Sequence, residues 1–227
     1  MLTEKRRELA ICTWRVAASG MSMGDRVCFR LAHDGGVVVE DTQATLEGMS
    51  DLRRRKLNRL FDVLDADRTG QIDAAAAERL RDRYVELAGA GQSEERKAQL
   101  GEMIRRLWTE YEQDGEPPPC DRDRFALEVV RDLRENPDRV IRMIGLITNV
   151  VFAVADLDVD GELRRGPAIR LAEEAMGLTP EEAAMAWRRL DTAGTGRLTY
   201  AEFLKLATEF VVSEDPEAPG NWFFGPY

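Results

Sequence analysis

Residues 156–162 read Asp-Leu-Asp-Val-Asp-Gly-Glu, which places three carboxylates at alternate positions in front of a glycine. A hard divalent cation is bound by this pattern in a twelve-residue loop between two helices. Positions 1, 3 and 5 supply side-chain oxygens, a glycine at position 6 permits the sharp turn, and position 7 supplies its carbonyl oxygen. In this chain those positions are occupied by Asp156, Asp158, Asp160, Gly161 and Glu162. The pattern predicts a cation-binding loop over residues 156–167, which we call loop 3.

A second match, loop 1 at residues 65–76, follows the apolar stripe of a predicted helix. Its candidate ligands are Asp65, Asp67, Thr69, the Gln71 carbonyl and Asp73. Position 12 of a complete loop is a glutamate that binds through both carboxylate oxygens. That position is Ala76 in loop 1 and Pro167 in loop 3, so both loops lack two oxygens and a negative charge.

A third match, loop 4 at residues 191–202, has the opposite defect, because it keeps the final glutamate but has Ala193 at position 3. Its candidate ligands are Asp191, Thr195, the Arg197 carbonyl and Glu202. Between loops 1 and 3, residues 112–124 form loop 2, which is one residue longer and contains three consecutive prolines. Proline fixes φ at about −65° and cannot adopt the glycine conformation. Loop 2 is therefore predicted to bind no metal.

Taken together, four helix-loop-helix units lie within residues 50–213, the second of them degenerate. They are followed at residues 215–226 by Asp-Pro-Glu-Ala-Pro-Gly-Asn-Trp-Phe-Phe-Gly-Pro. This arrangement resembles the EF-hand superfamily, specifically the sarcoplasmic calcium-binding protein group and its bacterial calerythrin-like members. The resemblance implies an all-α fold in which four EF-hand units pair into two lobes, with a short β-bridge between paired loops. It also implies calcium binding.

The expected domain organisation has three parts. Residues 1–48 are predicted to be a leader that is disordered or precedes the true start, residues 49–135 the N-terminal pair, and residues 136–227 the C-terminal pair with an aromatic tail. Asn136 and Pro137 suit the N-cap and the first residue of a helix, and so mark the boundary. The aromatic residues of the tail are predicted to pack on the C-terminal lobe.

Composition limits the classes of function. The net charge of −10 disfavours nucleic acid and anionic membranes as partners and suits a binder of cations. Three widely spaced cysteines argue against a disulfide framework and fit a reducing cytoplasm. Arginine outnumbers lysine 28 to 4, which indicates a GC-rich and hence bacterial genome. We expect a monomer.

The sequence therefore predicts a calcium-binding buffer or sensor with weakened sites, with Mg²⁺ as an alternative ion. Dissociation constants of about 10⁻⁵ to 10⁻³ M are expected, because each loop lacks part of its ligand set. The alternative is an interaction or structural protein that keeps the EF-hand fold without metal, whose protein partner the sequence does not identify. No enzyme is expected, because the chain shows no activated nucleophile and no phosphate-binding glycine loop, and it has only one histidine.

Overall fold

A computed structural model of the chain describes residues 48–89, 94–111, 119–156 and 160–227. The predicted leader, most of loop 2 and the candidate ligand Asp158 lie outside the described residues. The described residues fall within one compact unit. No helix among them is both long and apolar enough to cross a bilayer.

Pairs of helices flank each of the four predicted loops, as expected for helix-loop-helix units. In chain order they are α1 (Asp51–Leu64), α2 (Ala74–Gly89), α3 (Glu94–Tyr111), α4 (Arg122–Glu135), α5 (Pro137–Ala155), α6 (Arg165–Glu174), α7 (Pro180–Leu190) and α8 (Tyr200–Val212). Two three-residue strands, β1 (Glu162–Arg164) and β2 (Arg197–Thr199), and a 3₁₀ helix at Pro219–Trp222 complete the described elements. The predicted all-α fold is confirmed.

Position 9 of a loop serves as the N-cap of the helix that follows. The Asp73 carboxylate accepts a 2.8 Å hydrogen bond from the Ala76 amide at the start of α2. Thr199 caps α8 in a capping box with Glu202. Such caps satisfy amides that the first helical turn leaves without partners. The helix boundaries therefore follow directly from local sequence.

The expected β-bridge joins the loops in pairs. Strands β1 and β2 run antiparallel and place the position-8 residues Leu163 and Leu198 opposite each other. In the other pair, Ile72 of loop 1 exchanges two backbone hydrogen bonds, of 2.8 and 2.9 Å, with Cys120. Loop 2 thus keeps the pairing contact of a complete unit despite its prolines.

The buried side chains form two hydrophobic clusters. One surrounds the junction of loops 1 and 2 and includes Phe61 and Phe125, whose rings meet edge to face at 5.8 Å. The larger cluster combines residues of α2 and α3, such as Tyr84 and Ile104, with those of α5 to α8. The predicted boundary near residue 136 is therefore crossed by a shared core.

The end of the chain, residues 213–227, is called the C-terminal segment here. Phe223 and Phe224 are buried and pack against Phe203 and Phe210 of α8, in a tilted and an edge-to-face contact with centroid distances of 4.7 and 4.9 Å. This confirms the predicted packing of the aromatic tail. The segment also reaches α1, where the Arg59 Nε donates a 2.7 Å hydrogen bond to the Phe224 carbonyl.

Candidate metal centre

Loops 1, 3 and 4 share one internal frame built on the aspartate at position 1. In each loop one carboxylate oxygen of that residue accepts the amide of the position-6 glycine at 2.8 Å. The glycines have φ values of 81°, 80° and 74°, in the left-handed region that favours glycine. The three position-1 residues are Asp65, Asp156 and Asp191. The predicted turns therefore form as the spacing requires.

Loop 4 retains its two carboxylates in accessible positions. Asp191 also accepts the Thr195 amide at 3.0 Å, and the Thr195 hydroxyl donates to the Arg197 carbonyl at 2.8 Å. Glu202 is exposed, and one of its oxygens accepts both the amide and the hydroxyl of Thr199 at 2.8 Å. These two hydrogen bonds hold the pKa of Glu202 below its ordinary value. Its other carboxylate oxygen is not used by the capping box.

No ion pair joins Asp191 or Glu202 to a basic side chain within the described part of the chain. The arginine at position 7, Arg197, turns instead toward loop 3, where its guanidinium lies 3.0 Å from the Glu162 carboxylate. In loop 4, hydrogen bonds thus join Asp191, Thr195 and the Arg197 carbonyl, while the capping box holds Glu202 at Thr199. Neither carboxylate forms an ion pair among the described residues, although the nearby Arg197 also lowers the pKa of Glu202. The chemistry of these oxygen donors fits a divalent cation, with an incomplete ligand set.

Loop 1 is arranged differently. The Asp65 side chain is buried, which would raise its pKa, but hydrogen bonds from Gly70 and Thr69 and the nearby Arg122 hold the pKa below its usual value. Asp67 forms an ion pair with Arg79, and the same guanidinium lies 4.0 Å from Asp73. Two of the three predicted carboxylate ligands therefore face a cationic side chain, and the loop does not fit an open cation cage.

In loop 3, as in loop 1, a predicted carboxylate ligand is paired with an arginine. The Asp160 carboxylate contacts the Arg164 guanidinium at 2.5 Å. This hydrogen bond is the main reason why the pKa of Asp160 lies below its ordinary value. Pro167, at position 12, is the third residue of α6 and supplies no oxygen side chain. The predicted ligand Asp160 is thus paired with an arginine. Glu162 also pairs with one, Arg197, but through its carboxylate and not through the carbonyl oxygen predicted as the ligand.

The position-8 role in loop 2 belongs to Cys120, a residue that the sequence analysis did not assign. Burial, together with Glu128, raises the pKa of its thiol to about 12, while Arg124 acts in the opposite direction. The side chain is 6% exposed and packs with the cluster around Phe61. Cys120 is therefore a buried neutral thiol, and no thiolate ligand is present at this position.

Arg79 is the other residue that sequence reasoning missed. It lies three residues beyond the end of loop 1, outside the twelve positions on which the loop pattern is defined. Among the described residues, which exclude Asp158, no three histidine, cysteine, aspartate or glutamate side chains group closely enough to hold a metal ion. Loop 4 remains the best candidate because its donors are not engaged by arginine.

No protein-family model and no curated protein matches the chain. Solved structures do match its fold. The calcium-loaded apo form of the coelenterazine-binding protein from Renilla muelleri is 19% identical with a TM-score of 0.62, covering 79% of this chain and 100% of that one. Okadaic acid binding protein 2.1 is 18% identical with a TM-score of 0.59, covering 78% and 96%.

A calcium-binding protein from Streptomyces coelicolor, described in the context of prokaryotic calcium-mediated regulation, is 25% identical with a TM-score of 0.56. The match covers 70% of this chain and 97% of that protein. Together with the four helix-loop-helix units, these similarities show that the fold is the EF-hand fold. The calerythrin-like subgroup stays a prediction from sequence.

Proposed function

We propose that this chain is a weak calcium-binding EF-hand protein whose principal site is loop 4. Asp191, Thr195, the Arg197 carbonyl and Glu202 would hold the ion, which supplies two positive charges to a loop that has two unpaired carboxylates. The observation that carries this proposal is the accessibility of Glu202, which has a carboxylate oxygen free of the capping box. The calcium-binding Streptomyces coelicolor protein of the same fold supports it.

The affinity follows from the ligand count. Calcium takes six to eight oxygens, and the loop 4 residues supply fewer, so water must complete the shell. We therefore expect a dissociation constant of about 10⁻⁵ to 10⁻³ M. Magnesium, which keeps several of its waters, is the alternative ion. A cytoplasmic, monomeric and non-enzymatic protein is part of the proposal.

A buffer is favoured over a sensor that opens. The C-terminal segment hydrogen-bonds to α1 and packs against α8, so the two ends of the described chain are tied together. Movement of α1 relative to α8 would have to break these contacts. The second candidate function, a metal-independent interaction or structural protein, is favoured by the arginine pairs in loops 1 and 3.

Substitution of Glu202 by glutamine provides the decisive test. Glutamine can still accept the Thr199 hydrogen bonds of the capping box, but it lacks the charge that a cation needs. With calcium at a hundredfold excess over its dissociation constant, the parent should be stabilised by about 2.7 kcal/mol, a rise in Tm of about 5 to 10 °C. In Glu202→Gln most of that rise should disappear, as followed by thermal melts with and without chelator.

A second capping box in the same chain provides a matched control variant. Thr179 and Glu182 form the same capping box at the start of α7, outside any loop. Glu182→Gln should therefore change the calcium response little. A Glu202→Gln protein with the full calcium shift would refute the site, and a parent protein with no shift would favour the metal-independent alternative.

A further inference from the structure

In loops 1 and 3, which both lack the position-12 glutamate, an arginine pairs with predicted carboxylate ligands, although the two arginines come from different positions. Arg79 reaches back from α2, one turn beyond position 12, to pair with Asp67 at position 3 and to approach Asp73 at position 9. Arg164, at position 9 of loop 3, pairs with Asp160 at position 5. In both loops a guanidinium lies against carboxylates that the loop pattern assigns to a cation.

Loop 4 shows the reverse combination. It keeps the final glutamate, and no basic side chain pairs with Asp191 or Glu202 within the described residues. In the three loops whose side chains the structure describes, namely loops 1, 3 and 4, loss of the position-12 glutamate and presence of an arginine pair thus go together. The other arginine of α2 with carboxylate partners, Arg81, pairs with Glu78 and Asp82 on the helix itself, away from the loop.

We propose that Arg79 is the internal counter-cation of loop 1: its guanidinium neutralises Asp67 and Asp73, relieves their mutual repulsion without metal, and makes the loop unreceptive to divalent ions. Loop 1 then serves as a permanently closed partner for loop 2, which its bridge from Ile72 to Cys120 holds in place. This inference concerns a different loop from the proposed calcium site and does not depend on it.

Electrostatics sets the size of the effect. The three carboxylates of loop 1 lie within nine residues and would repel one another without a positive charge. The Arg79, Asp67 and Asp73 side chains are each about 40% exposed, so the pair itself adds little to stability. Its effect on a divalent ion is larger. In a water-like dielectric, a unit positive charge about 6 Å from a bound divalent ion lowers the affinity of the loop for that ion about tenfold.

The test removes the charge of Arg79 in a protein whose loop 4 is already disabled by Glu202→Gln. The Glu202→Gln single variant is the parent in this test. Compared with it, the double variant that also carries Arg79→Gln should melt about 1 to 3 °C lower in chelator at low salt. It should recover on addition of calcium or magnesium chloride, with an affinity about tenfold higher than the parent in calorimetric titration. Arg79→Lys, which keeps the charge, should remain as unresponsive as the parent.

Arg81→Gln in the same background is the matched control, because it removes a similarly placed charge of α2 whose partners are not loop ligands. It should give no gain in cation affinity. Equal affinities in the Arg79→Gln variant and its parent, or an equal gain in the Arg81→Gln control, would overturn the inference. Persistence of calcium binding in the Glu202→Gln parent would instead refute loop 4 as the principal site, while the comparison at Arg79 would still hold.

Discussion

Lys56 of α1 is 1% exposed and carries an ammonium group almost wholly inside the protein. Its Nζ donates to the Ser213 carbonyl at 2.6 Å and to the Asn221 Oδ1 at 3.1 Å, and it lies 5.7 Å from the centre of the Phe210 ring. Burial lowers the pKa of Lys56 to about 8, with Glu214 raising and Arg53 lowering it. The charged form is therefore costly at neutral pH although it donates two hydrogen bonds.

This burial predicts an unusual pH dependence. The pKa of Lys56 is about 8 in the folded protein and about 10.4 in the unfolded chain, so between these values the unfolded state binds more protons. The contribution of Lys56 to the free energy of unfolding should therefore rise by about 2 kcal/mol between pH 8 and pH 10. Below pH 7 this contribution should no longer change with pH. In urea unfolding the difference between the parent and Lys56→Met should show this rise, because other titrating groups cancel. A constant difference across that range would contradict the prediction.

At the scale of elements, the loops are joined through their position-8 residues. Leu163 and Leu198 lie opposite each other in β1 and β2, and they are 1% and 4% exposed. They connect the short strands to the main hydrophobic cluster, which also contains Phe203 and Trp187. Two strands of three residues have little stability alone, so this packing holds the loops in register.

Leu163→Ala should accordingly destabilise the protein by about 2 to 4 kcal/mol, because it removes buried methyl groups from a closely packed site. It should also weaken calcium binding at loop 4, since β2 lies within that loop. Leu163→Val, which keeps most of the volume and a branched strand residue, should cost less than about 1.5 kcal/mol. Urea unfolding with and without calcium measures both effects. Equal losses in the two variants would mean that this contact does not hold the loop pair together.

At the scale of the whole molecule, the C-terminal segment fastens the first described helix to the last. Asn221 is fully buried, accepts from Lys56, and donates to the Asp215 and Pro216 carbonyls at 2.9 and 3.2 Å. Close packing adds to this, because a Cβ on Gly220 would collide with the Leu206 carbonyl oxygen and the Glu209 side chain. The segment is therefore an integral part of the fold.

Asn221→Ala should lower the free energy of unfolding by about 2 to 3 kcal/mol, because it leaves a buried ammonium group with one oxygen partner fewer. Protease cleavage near the end of the chain should become faster as the segment detaches from α1. Glu217→Gln, an exposed change in the same segment, is the control and should have little effect. If both variants unfold and are cleaved like the parent, the segment does not fasten the helices.

Much of the local architecture was set by the sequence itself. The turns at Gly70, Gly161 and Gly196 were predicted, because they depend on residues a few positions apart, and the β-bridge between paired loops was expected from the resemblance. The capping boxes at Thr179 and Thr199 are equally local. The predicted start of α5 at Pro137 is also confirmed, although the Asn136 side chain makes no cap hydrogen bond. The division into two lobes, the ion and its affinity stay predictions.

Only the tertiary structure decided which carboxylates are left for a cation. Loop spacing gives equal standing to Asp67 and Asp191, but Arg79 reaches back from α2 to pair with the first, and no such pair forms at the second within the described residues. The pair between Arg164 and Asp160 is instead a local contact between residues four positions apart. Lys56 and Asn221 are 165 positions apart and meet only through packing. Such partners are chosen by how helices fold back on one another, and periodicity along the chain carries no record of that choice.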